Sequence, residues 1–136
     1  MEGNVREVRV RWRERLLFEG GPADRSGVLV DGDAAAATSP VELLLVAAAT
    51  CAASDVVLIL EKMRVRLASL GVTVRGTRRE TEHRRYTAIH FGFTVGGEGA
   101  DEDKARRAVD LSLAKYCSVV ASLAPDIRIS YDVALA

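Results

Sequence analysis

The chain has little from which to build common catalytic chemistry. It contains two cysteines and two histidines among 136 residues. Cys51 and Cys117 stand sixty-six residues apart and neither His83 nor His90 is near one of them, so zinc and thioredoxin-type spacings are absent. No phosphate loop and no Gly-x-Ser-x-Gly elbow occurs, and Gly96, Gly97 and Gly99 lack the spacing of a dinucleotide fingerprint. Phosphoryl and hydride transfer are therefore poorly supported. Charge of one sign is also missing, because 19 Lys and Arg balance 19 Asp and Glu. Without a basic excess, neither nucleic acid nor an anionic membrane is an expected partner. The opening residues Met1 to Glu7 are charged and lack the apolar run of a secretory signal, so cytoplasmic residence with reduced cysteines is expected.

What is present is enough for one globular domain over residues 1–136, with 49% hydrophobic and 28% charged residues. Val8, Val10 and Trp12 alternate with Arg9, Arg11 and Arg13, the pattern of a half-buried strand. Leu16 to Phe18 is expected to return as a second strand, Gly20-Gly21-Pro22 to break the chain, and Val28 to Val30 to form a third strand before the Asp31-Gly32-Asp33 turn. Ser39-Pro40 starts a helix expected to reach about Arg64. From Leu43 to Ser54 that helix has no charge, a stretch too short to span a bilayer and suited to burial on nearly all sides. One sheet covers only one face of a helix, so a second helix or a second copy of the chain must cover the rest, and an obligate homodimer is expected.

Leu70, Val72 and Val74 alternate, the run from Thr77 to Arg85 is turn-like, and Ile89, Phe91, Phe93 and Val95 share one face of a following strand. Asp101-Glu102-Asp103 opens a second helix that Pro125 stops, and alternation from Ile127 to Leu135 marks a last strand. The fold class is α+β, with antiparallel sheets packed on two long helices in the order βββ-α-ββ-α-β. Each helix carries one cysteine. Two buried thiols have an inert reading as small hydrophobes and a reactive one as a dithiol, whose thiolate takes oxygen from a peroxide and then condenses with its neighbour. Asp55 lies one turn after Cys51 on the same face and by itself discourages a thiolate, so a reactive Cys51 requires a cation from elsewhere.

Ser39-Pro40, the Leu/Ala-rich helix with Cys51 and Asp55-Val56-Val57, and Lys115-Tyr116-Cys117-Ser118-Val119 resemble the OsmC/Ohr family, the osmotically inducible and organic hydroperoxide resistance proteins. The resemblance spans nearly the whole chain and is nearest to the OsmC-like branch. It implies the OsmC-like fold as an intertwined homodimer, with Cys51 attacking an organic hydroperoxide and Cys117 resolving. It also implies a thiol reductant such as a dihydrolipoyl protein, and no metal or organic cofactor. Family peroxidases place Glu directly after the Pro, where it pairs with an arginine that steadies the thiolate. Here Val41 holds that place and Glu42 follows, nine residues before Cys51 and so on the opposite side of an unbroken helix. Arg13 and Arg15 are the nearest positional matches to the arginine, and Asp55 is an alternative partner for it. A thiol-dependent peroxidase is the leading expectation. A dimeric binding protein for an apolar small molecule and a dithiol redox protein without peroxidase activity are the rivals.

Overall fold

The computed structural model describes residues 2–136. The chain divides into two compact units, one ending at Leu44 and the other running from Leu45 to Ala136. In the first, a short 3-10 turn (Glu2–Asn4) precedes β1 (Arg9–Glu14), β2 (Leu17–Gly21) and β3 (Val28–Asp31), which form an antiparallel sheet in that order. β2 does not break at Gly20-Gly21 as expected but runs through both residues. A Cβ on Gly21 would come within 2.6 Å of the Gly27 α-carbon, so the missing side chain is what lets the two segments close up. β1 is not half-buried either: Val8, Val10 and Trp12 are all more than 60% exposed in the single chain.

α1 (Pro40–Lys62) begins in the first unit and continues into the second. Its start is a capping box: the Ser39 N–H donates to Glu42 Oε1 at 2.9 Å while the Glu42 N–H donates to Ser39 Oγ at 3.3 Å. The helix is not buried all round. Only Ala48, Ala52, Val56 and Leu60, spaced four apart, are fully enclosed, whereas Val46 and Leu58 are 47% and 59% exposed. Taken over its 23 residues α1 is long and apolar enough to cross a membrane by length and composition alone. Its Ala-Ala-Val-Leu stripe lies instead in the core of the second unit.

That core is built on β4 (Arg66–Arg78) and β5 (Tyr86–Glu98), a long antiparallel pair, with β6 (Arg128–Leu135) on the other side of β5. Ile89, Phe91, Phe93 and Val95 bury one face of β5, and α2 (Glu102–Leu111) adds Ala105, Ala108 and Val109. β6 pairs with β5 in parallel, with Ile129 opposite Ile89 and Val133 opposite Phe93, so the second sheet is mixed where antiparallel sheets were expected. The physical reason is the helical connection: a chain that leaves the end of β5 and crosses back over the sheet re-enters alongside it. On the outer face His90 stitches the parallel pair, with Nδ1 2.7 Å from Ser130 Oγ and Nε2 3.2 Å from Asp132 Oδ2.

The second helix is also not continuous. α2 stops at Leu111, a π-helical segment covers Ser112–Tyr116, Cys117 is extended (φ −71°, ψ 105°), and a short α3 follows (Ser118–Ala121). Cys117 therefore sits at a break rather than within a helix. Filling the fully enclosed Phe91 site sets the strength of this core: Phe91→Ala is expected to cost about 3–5 kcal/mol in denaturant unfolding, against less than ~1 kcal/mol for Thr73→Ser on the exposed face.

Candidate functional site

Cys51 projects from the middle of α1, half-buried, beside the enclosed Ala48 and Ala52. Asp55 follows one turn later. Opposite them lies the break in the second helix. α2 presents Ala105, Ala108, Val109 and then Ser112 inward at helical spacing, and Ser112 is fully enclosed. Its hydroxyl donates to Asp55 Oδ2 at 2.8 Å and lies 3.3 Å from the Ala52 carbonyl oxygen. A hydroxyl buried without a partner would cost several kcal/mol in an apolar medium, so this bond is what makes a polar residue tolerable there. The Ser112 carbonyl accepts from the Cys117 N–H at 2.8 Å, five residues on, and this closes the π-turn.

Cys117 is buried at the start of α3, where its sulfur accepts from the Val120 N–H at 3.5 Å and lies 4.0 Å from the Ala48 carbonyl oxygen. The Cys51 side chain is near enough to raise its pKa, so two residues sixty-six positions apart are brought into one neighbourhood, and both are free. Burial pushes the Cys117 thiol up to about 11, with Cys51 adding to the rise and the Val120 N–H opposing it. At neutral pH Cys117 is therefore a protonated thiol, enclosed, facing a partly accessible sulfur. That asymmetry suits one sulfur to meeting an outside reagent and the other to closing a disulfide.

The remaining candidates have other engagements. Glu42 is held by the capping box, and the Ser39 N–H and hydroxyl keep its carboxyl below the usual range. Asp55 is held by Ser112. In the first unit Arg13 pairs with Glu19 at 2.9 Å. Arg15, at φ 44°, pairs with Asp33 at 2.8 Å, and that hydrogen bond raises its pKa. Among the described residues no group of three His, Cys, Asp or Glu side chains could hold a metal ion. Ser112 was missed by sequence reasoning although a signal existed: it is the one polar residue on the inward stripe of α2. The capping box was also readable, as Ser39 with Glu42 three residues later.

The family described as OsmC-like protein matches residues 31–132. Protein YhfA of Escherichia coli K12 is 41% identical over 133 residues, covering 96% of this chain and 99% of its own. A hypothetical protein from Aquifex aeolicus VF5 has a similar structure, with TM-score 0.83, 29% identity and 98% of each chain covered. The organic hydroperoxide resistance protein OhrB of Bacillus subtilis is more distant, with TM-score 0.59, 14% identity and 96% of each chain covered, and shares the fold.

The unequal exposure of the two thiols has a direct readout. Iodoacetamide treatment of the reduced protein at pH 7.5, followed by peptide mapping, is expected to label Cys51 well before Cys117. Cys117 labelling should rise by about tenfold per pH unit up to pH 9, as its thiolate fraction does.

Proposed function

The chain belongs to the OsmC-like family, and on that premise we propose that it is a homodimeric thiol peroxidase of organic hydroperoxides in the cytoplasm. The single observation that carries this reading is the isolated dithiol, in which a half-buried Cys51 adjoins an enclosed Cys117. The organic hydroperoxide in the name of OhrB is the substrate class adopted in this proposal; at 14% identity the likeness itself speaks to the fold, so the chemistry rests on the sulfurs.

The Cys51 thiolate attacks the terminal peroxide oxygen. The O–O bond breaks, the alkoxide leaves and takes a proton as the alcohol, and Cys51 becomes a sulfenic acid. The Cys117 sulfur then attacks the Cys51 sulfur, the S–O bond breaks, and water leaves with the Cys117 proton. A dithiol reductant, of which a dihydrolipoyl group is the expected kind, reopens the disulfide by exchange and is itself oxidised to a disulfide. One peroxide and one dithiol thus give one alcohol, one water and one disulfide. Glu42 and Asp55 are engaged with Ser39 and Ser112, so neither is assigned a proton in this cycle.

Dimerisation is supported by apolar side chains that one copy leaves in water. Val46 and Leu58 on α1, and separately Val10 and Trp12 on β1, are each between 47% and 67% exposed. Light scattering is expected to return twice the mass of the chain; a monomer at micromolar concentration would remove the dimer.

Reduced protein given one equivalent of an alkyl hydroperoxide should join Cys51 to Cys117 within a chain. Cys51→Ser should abolish peroxide consumption, while Cys117→Ser should retain a single turnover and accumulate higher oxides of Cys51. Consumption by Cys51→Ser at the parental rate would overturn the assignment. A retained apolar molecule in native mass spectra, with thiols inert to peroxide, would instead favour a binding protein.

A further inference from the structure

Ser112 is tied in two directions at once. Its side chain bonds to Asp55, four residues after Cys51 on α1, and its main-chain carbonyl bonds to the Cys117 N–H. It is also the one buried polar side chain of the second unit among the described residues. In a regular α-helix the Ser112 carbonyl would take the N–H of Tyr116; here it takes that of Cys117, one residue later. One residue of register turns a side chain by about 100° around a helix, so the π-turn decides which way Cys117 faces. The bond that fixes Ser112 thereby fixes the turn, and the turn brings one sulfur to the other.

We propose that Asp55 and Ser112 are positioning residues for disulfide closure, clamping the π-turn so that Cys117 is presented to Cys51. This rests on the pairing of Cys51 with Cys117 put forward above. The clamp leaves the first oxidation of Cys51 alone and governs the second step, the displacement of water from the Cys51 sulfenic acid by the Cys117 sulfur. When the clamp is lost, the sulfenic acid outlives its partner's approach and a second peroxide takes it to the sulfinic acid.

The test compares Asp55→Ala, Asp55→Asn and Ser112→Ala in the full chain, with unfolding midpoints to show that each is folded. Asn keeps an oxygen that can accept from the Ser112 hydroxyl, so Asp55→Asn should close its disulfide at the parental rate. Ser112→Ala should consume the first equivalent of alkyl hydroperoxide at the parental rate, and Asp55→Ala at the rate of Asp55→Asn, which likewise lacks the carboxylate charge beside Cys51. In both alanine variants the Cys51–Cys117 disulfide should close about 10- to 100-fold more slowly, and Cys51 sulfinic acid should appear in the mass spectrum. If Ser112→Ala unfolds, the two Asp55 variants decide the matter. Closure is measured in parallel with diamide, a thiol oxidant that needs no peroxidase activity, together with hydrogen exchange at the Cys117 amide. If the parent closes its disulfide with diamide but is inert to hydroperoxide, the peroxidase reading fails and the clamp stands. If Asp55→Ala closes with diamide at the parental rate and protects the Cys117 amide equally, the clamp is overturned.

Discussion

The close approach of the α2–α3 break to the backbone of α1 is the constraint on which the rest depends. Cys117 Sγ lies 4.0 Å from the Ala48 carbonyl oxygen and Ser112 Oγ lies 3.3 Å from that of Ala52. Contacts of this kind reach the main chain of a helix, and only small side chains leave that main chain open. Ala48 and Ala52, both fully enclosed, provide the opening. A larger residue at either position would push the two segments apart by an ångström or more, and the loss would fall on the meeting of the sulfurs before it fell on the fold.

The two thiols are neighbours with opposite environments. Cys51 sits on a regular helix whose outer face is accessible, while Cys117 sits at an irregular point, enclosed and capping the start of α3 with its own sulfur. On forming a disulfide Cys117 loses its S–H, and with it the donor facing the Ala48 carbonyl, while its sulfur can still accept from the Val120 N–H. Regularity on one side and irregularity on the other is how a small domain offers one sulfur to solvent and withholds its partner.

Much of this architecture is legible in the residues. The alternations in β5 and β6, the Ser39-Pro40 start of α1 and the acidic run Asp101-Glu102-Asp103 that opens α2 each rest on a local rule that survives into the structure, and β1 forms as a strand without the buried face its alternation implied. The misses have a common cause. Alternation along Ile127 to Leu135 says that a strand has one buried face and nothing about its direction, so the parallel pairing with β5 could come only from tracing the helical crossover. The break after Leu111 carries no Gly or Pro and so no local signal, and the Ser112–Asp55 bond found at it joins residues fifty-seven positions apart. For the site, the sequence places one cysteine on each of the two helical segments. The engagement of Glu42 with Ser39 follows from capping-box spacing, whereas that of Asp55 with Ser112, fifty-seven residues away, required coordinates.

The crossover also has a bearing on biosynthesis. Val133 on β6 is part of the buried core, in register with Phe93 on the strand that β6 joins from across the helices. During vectorial synthesis the hairpin of β4 and β5 can zip as it emerges, yet the apolar face of β5 stays uncapped along one border until residue 133 has been made. Nascent chains of this topology therefore pass through a stage in which Phe91 and Phe93 are open to other chains, and that interval is where a chaperone would be of most use.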